Sequence, residues 1–328
     1  MNPDTQGHGA TDGVARLSIV LPADRPETVR RMRRALRAQT VRDALELVVV
    51  RWPGAWDEES PLEDDGYAAV RLVDVAPRTS LAHGRAAGAR AATTPLVFFA
   101  ETHAYPRPDW AAAVLAAAAS GQWQVISSSF VNANPQGPVS WACFILDYGG
   151  FGDDLPAGEI ASVPIHKGTF RRADLLAFGE RLEPSLSAGD ELPETLRERG
   201  RRAWFEPGAR IEHLNVSRLG LWLRGRYLIG FLIGVNRAER WSPLRRAFYV
   251  LLAPLIALVL VWRIVPVVRR FARLHRLPRF TWGAIVLGAI ARAAGESIGY
   301  ARGDLPSMRA QADEYELFES VYANGSAP

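Results

Sequence analysis

"LSIVLPADRPETVRRMRRALRAQTVRDALELVVV", residues 17–50, holds two apolar runs separated by an amphipathic stretch. LSIVLP and LELVVV have the length and composition of buried strands. Between them Val29, Met32 and Leu36 recur at helical spacing, so one face of PETVRRMRRALRAQT is apolar. Strand, amphipathic helix, strand is the unit of a parallel sheet, because parallel neighbours need a long crossover. The alternation continues outward through VRLVDVA (70–76), the small-residue helix SLAHGRAAGARAA (80–92), PLVFFA (95–100) and PDWAAAVLAAAA (108–119). The expected fold is α/β, Rossmann-like, with a mostly parallel sheet flanked by helices.

The totals agree. A chain of 328 residues, 48% hydrophobic, can bury one core of roughly 200 residues and still supply a second region. A single cysteine, Cys143, excludes a disulfide framework and a cysteine-rich zinc site, and is expected to be a buried thiol. Residues 1–15 have no apolar centre and are read as a flexible tail, neither signal nor transit peptide.

The net charge of +4 is unevenly spread. Between Glu239 and Glu296 there is no Asp or Glu, while Arg240, Arg245, Arg246, Arg263, Arg269, Arg270, Arg273, Arg276, Arg279 and Arg292 accumulate. Lys167 is the one lysine, so the preference for arginine over lysine carries no weight of its own. The arginines alternate with aliphatic and aromatic runs, a pattern that suits anionic membrane lipids better than nucleic acid.

From residue 215 the character changes, and residues 215–303 are read as amphipathic and hydrophobic membrane-associated helices. AFYVLLAPLIALVLVW, Ala247 to Trp262, is sixteen residues without a charge, short of the roughly 20 that a span needs, and it contains Pro254. Basic residues flank it on both sides, which argues against a simple span. In-plane or re-entrant helices on the cytoplasmic face of the inner membrane are expected, with a transmembrane hairpin as the alternative. Residues 304–328 are expected to be a loosely held acidic tail.

At the end of the PLVFFA strand, in PLVFFAETHAYPRPDW (95–110), Glu101 and His103 lie two residues apart. In extended chain they face one side, at the strand's carboxyl end, where open α/β sheets place their sites. Alternatively, the two side chains bond neighbouring backbone or Arg107 and merely cap the turn.

Four stretches in order resemble the inverting family-2 glycosyltransferases of the GT-A fold, over residues 16–214. They are LSIVLPADRPETVRRMRRALRAQT with Arg25-Pro26-Glu27, LAHGRAAGARAATTPLVFFAETHAYPRPDW with Arg85, Gly88 and Pro106 to Trp110, HKGTFRRADLLAFG, and AGDELPETLRERGRRAWFEPGARIEHLN. Two departures stand out. Ala86 replaces a usual asparagine, and VVVRWPGAWDEE has no acid until Asp57 where relatives hold the nucleotide base.

The resemblance implies transfer of a sugar from a nucleotide-diphosphate donor. Glu101 and His103 occupy the places of a metal-binding aspartate pair, with His213 as third ligand, for a divalent cation, Mn²⁺ or Mg²⁺. Asp24, Arg25, Arg85 and Glu101 would contact the donor. Asp190 or Glu191 would be the base that deprotonates the acceptor hydroxyl. A membrane location suggests a lipid-linked or glycan acceptor. Three other readings stay open: metal-free catalysis with protonated His103 and Arg85 supplying positive charge, a catalytically retired domain serving as a membrane scaffold, and a nucleotidyltransferase with a similar sheet.

Overall fold

The computed structural model describes residues 16–23, 26–52, 65–76, 79–187, 191–239, 241–317 and 319–323. It opens with β1 (Leu17–Ala23), α1 (Pro26–Arg37) and β2 (Leu45–Arg51), the unit read from residues 17–50. All of β1 is buried, and Val29, Met32 and Leu36 turn inward from α1. Next come β3 (Ala69–Asp74), α2 (Leu81–Ala91), β4 (Leu96–Phe99), β5 (Ala104–Pro106), α3 (Trp110–Ala119), β6 (Val125–Asn132) and α4 (Pro138–Asp147). β7 (Gly158–Ile160), β8 (Gly168–Arg171), α5 (Arg172–Leu176), α6 (Leu182–Ser185), α7 (Glu191–Glu198) and β9 (Ala203–His213) complete the sheet region. The remainder is helical: α8 (Leu219–Ala238), α9 (Pro243–Leu251), α10 (Ala253–Leu274), α11 (Thr281–Arg302), α12 (Pro306–Leu317) and α13 (Glu319–Ala323).

The nine strands form one sheet in the order β3-β2-β1-β4-β8-β6-β9-β5, with β7 also on β9. β1, β2, β3, β4, β6 and β9 run one way, while β5, β7 and β8 run against them. The sheet is therefore mostly parallel, as the alternation of strands and helices predicts. Two details fix how closely its layers approach. A Cβ on Gly88 would meet Val20 Cγ1 at 2.3 Å, so only glycine lets α2 lie this near β1. Glu46, the acid inside LELVVV, is fully buried and accepts from Thr93 N at 2.8 Å, Arg71 Nε at 2.5 Å and the Ser18 hydroxyl. Its charge is thereby compensated inside the sheet.

The helical region packs on the sheet through α4 and around the pair α8 and α11. A Cβ on Gly230 would meet the Arg292 carbonyl at 2.2 Å, and one on Gly234 the Glu296 carbonyl at 2.4 Å. The paired positions advance together, so the two helices run parallel with their backbones in contact. Glu296 is buried beside them and takes Arg292 Nε at 3.0 Å, Arg237 Nη1 at 3.2 Å and the Tyr300 hydroxyl at 2.8 Å.

Among the described residues no single helix is long and apolar enough to cross a membrane. The uncharged run 247–262 is broken at Leu252, where α9 and α10 meet at 65°. Pro254 falls in the first turn of α10, where its missing N–H removes no helical bond. Leu244, Phe248, Leu251, Leu255, Leu258 and Trp262 form an outward stripe at alternating spacings of four and three, each between 52% and 82% exposed.

Within residues 304–328, expected to be a loose tail, α12 and α13 are instead packed. Ala312, Tyr315 and Tyr322 are buried, and a Cβ on Gly225 of α8 would collide with the Tyr315 ring. Ala312 and Tyr315, three apart, share a face of α12, and the Tyr322 ring of α13 lies 5.1 Å from that of Tyr315, which a reading of the segment's acidity alone passes over.

Candidate functional site

The sheet's pairing brings the three predicted metal ligands together. β5 and β9 are antiparallel with Ala104 opposite His213, and Leu214 N donates to the His103 carbonyl at 2.9 Å. His103 and His213 therefore stand side by side, rings 4.8 Å apart at 77°. Glu101, two residues beyond β4, turns toward them, with Oε2 3.7 Å from His213 Nε2. One ligand atom from each of Glu101, His103 and His213 lies within 4.8 Å of the others.

Both imidazole Nε2 atoms are buried and have no hydrogen-bond partner among the described residues. For His213 the tautomer follows from its neighbours. Asn215 spends its Nδ2 on Asn132 Oδ1 at 2.9 Å and on the His213 carbonyl at 3.1 Å, so its Oδ1, 3.0 Å from His213 Nδ1, must accept. His213 Nδ1 is then the donor, and Nε2 keeps its lone pair facing Glu101. Burial pushes the His103 pKa down to about 4 and that of His213 well below the ordinary value. Neutral imidazoles are what a cation needs. The same burial disfavours the charged His103 that the metal-free variant needs.

Glu101 is mostly buried, and desolvation pushes its pKa up to about 7 despite the opposing charge of Arg85 and a 3.2 Å hydrogen bond from the Tyr148 hydroxyl. The turn-capping alternative fails: Arg107 pairs with Glu212 at 3.1 Å, since β5 places Tyr105 opposite Glu212, and Glu101 points inward. Two imidazoles with unbonded Nε2 atoms beside a carboxylate fit a divalent cation, with an N/O set that suits Mn²⁺ better than Mg²⁺.

Glu101 and His103 line a cleft of about 320 Å³, and His213 lies buried directly behind them. Arg85 from α2 is buried on its wall and donates to the Leu186 carbonyl at 3.4 Å. Lys167 is buried opposite, 4.7 Å above the Tyr148 ring and bonded to the Asp147 carbonyl, and desolvation lowers its pKa to about 8. Glu191 opens α7, is ion-paired with Arg181, and is not among the residues lining the cleft. Asp24, Arg25 and Asp190 lie outside the described residues.

Sequence reasoning missed Tyr148, His166, Lys167, Glu316 and Glu319, all of which line the cleft. His166 opens HKGTFRRADLLAFG, one of the four resembling stretches, but the resemblance gives it no role there. Lys167 had a local signal: a chain that uses arginine almost everywhere keeps a single lysine here. Glu316 stands 3.8 Å from Arg85, and Glu319 Oε2 stands 3.8 Å from His103 Nε2.

No protein-family model and no curated protein matches the sequence. Among solved structures the chain is similar to S. aureus TarS 1–349, at 14% identity over 95% of this chain and 92% of that one, with a TM-score of 0.44. It is also similar to a longer S. aureus TarS chain, at 15% identity over 58% of this chain and 35% of that one, TM-score 0.41. GalNAc-T7 with UDP, GalNAc and Mn²⁺ gives 13% identity over 61% and 43%, TM-score 0.44. The chain thus spans 35% of the longer TarS and 43% of GalNAc-T7. No residue-by-residue correspondence follows at these values.

Proposed function

We propose that the chain is a divalent-cation-dependent glycosyltransferase that passes a sugar from a nucleotide-diphosphate donor, with inversion, to a lipid-linked or glycan acceptor at a membrane surface. The convergence of Glu101, His103 and His213 at a cleft lined by the first two together with Arg85 and Lys167 carries this reading. Carboxylate and imidazoles would hold the cation, which when bound neutralises charge on the leaving diphosphate. The Arg85 guanidinium presents a planar fork to phosphate oxygens, and Lys167 adds a point charge from the opposite wall. The Tyr148 hydroxyl fixes one oxygen of Glu101, which orients the carboxylate.

In the transfer itself a carboxylate takes the proton of the acceptor hydroxyl as that oxygen attacks the anomeric carbon. The bond from that carbon to the diphosphate breaks on the opposite side, and the diphosphate leaves with the electron pair. The acidic pair Asp190–Glu191 supplies the base in this proposal; Arg181 engages Glu191, which favours Asp190. Asp24 and Arg25, which follow β1 in the sequence, are assigned to the donor.

The exposed apolar stripe of α9 and α10 supports membrane attachment, together with exposed Trp282, Val286, Leu287 and Ile290 of α11. A contiguous apolar surface of this kind marks an interaction site. Exposed Arg245, Arg263, Arg269, Arg273, Arg276 and Arg279 beside it suit the phosphates of anionic lipids on the cytoplasmic face. A retired scaffold would leave two buried imidazole nitrogens without a partner or a purpose, so catalysis is the preferred reading.

The test is a donor screen of the purified full-length chain with Mn²⁺ and membrane lipid. Binding of one nucleotide sugar by calorimetry and its turnover support the reading. Neither binding nor hydrolysis of any nucleotide sugar overturns it.

A further inference from the structure

The cation site as read from sequence has three protein ligands, but the structure brings a fourth group to it. Glu319 Oε2 lies 3.8 Å from His103 Nε2, as Glu101 Oε2 lies 3.7 Å from His213 Nε2. Both separations are too long for a hydrogen bond, and both nitrogens are buried without a partner among the described residues. Glu319 thus approaches the His103 side of the group as Glu101 approaches the His213 side. Glu319 stands outside the group of Glu101, His103 and His213, whose ligand atoms lie within 4.8 Å of one another, so α13 must move toward that group for one ion to touch all four. Without an ion, two carboxylates share a desolvated pocket, an arrangement that disfavours the charge of each.

Glu319 belongs to α13, which follows α12, and it lines the cleft together with Glu316 and Leu317 of α12. We propose that Glu319 is a fourth protein ligand of the cation, so that binding the ion locks α12 and α13 over the cleft. This inference rests on the cation reading of Glu101, His103 and His213. Linkage makes the two events reciprocal: an ion that contacts Glu319 only when α13 is docked must favour the docked state by the affinity that Glu319 adds.

The experiment uses the full chain and Mn²⁺ alone, followed by electron paramagnetic resonance and calorimetry, with tryptic cleavage after exposed Arg302 as a second readout. Wild type binds Mn²⁺, and Glu319→Gln weakens binding by about tenfold or more. Glu319→Asp, which keeps the charge but withdraws it by one methylene, gives a smaller loss and guards against misfolding of the first variant. Glu314→Gln, on the exposed face of α12, leaves affinity within about twofold. Mn²⁺ slows cleavage at Arg302 in wild type but not in Glu319→Gln. Equal affinity of wild type and Glu319→Gln overturns this inference and leaves the three-ligand site standing. No Mn²⁺ binding by wild type overturns both.

Discussion

His103 and His213 face each other across the β5–β9 pair with rings 4.8 Å apart, each keeping a buried Nε2 with no hydrogen-bond partner among the described residues. The local fold is built to hold that relationship. His213→Ala should abolish Mn²⁺ binding. Asn215→Ala, which frees the His213 ring without touching the cleft, should weaken it by about 10- to 100-fold. Calorimetric titration checks both; full Mn²⁺ affinity in His213→Ala would remove this residue from the site.

Lys167 sets function against stability. Its pKa is about 8 when folded against 10.5 when unfolded, so the unfolded chain binds more protons between those values. Stability from this group therefore rises as pH climbs from about 8 to 10.5, and its penalty is complete below about 8. The shift corresponds to roughly 3 kcal/mol, less what the hydrogen bond to Asp147 returns. Lys167→Met should be more stable than wild type at pH 7 and lose that advantage by about pH 10, while binding nucleotide diphosphate more weakly. Urea denaturation at several pH values reads the first effect, and an unchanged difference across the range would contradict it.

Gly230 and Gly234 let α8 and α11 touch. Gly234→Ala places a methyl 2.4 Å from the Glu296 carbonyl oxygen, a backbone atom that cannot rotate away. Parting the helices should cost about 1–3 kcal/mol, visible as a fall in Tm. Gly283→Ala, where nothing lies within 4 Å, is the matched control and should leave Tm unchanged or raise it.

Leu258 and Trp262, 64% and 74% exposed, lie on the outward stripe of α10. Replacing both with glutamate should abolish co-flotation with vesicles containing phosphatidylserine and leave Tm within a few degrees. Flotation of wild type should weaken with added salt, since the arginines act through screened charge. Undiminished flotation of the double variant would exclude this face as the docking surface.

The sheet was legible because its unit is local: β1, α1 and β2 announce themselves through runs and spacings within residues 17–50. Glu101 and His103 were legible for the same reason, being two residues apart at a strand's end. His213 lies far along the chain, and only the resemblance pointed to it. Tyr148, Lys167 and Glu319 reach the cleft through tertiary packing, which leaves no periodic mark near them. The acidic composition of residues 304–328 concealed the buried Ala312 and Tyr315 of α12 and Tyr322 of α13. Pro254 was visible, but the bend at Leu252 depends on how α9 and α10 rest against α11.

The position of α12 and α13 also has a bearing on how the protein comes to be made. Chains fold as they leave the ribosome, amino end first, and contacts between distant residues form late. The sheet with Glu101, His103 and His213 can take shape long before Glu319 has been synthesised. A newborn chain would therefore hold its cleft open through most of translation and close it only when the acidic helices emerge. Ribosome-bound intermediates arrested after β9 should accordingly contain the sheet with an uncovered mouth, a folding order imposed by sequence position alone.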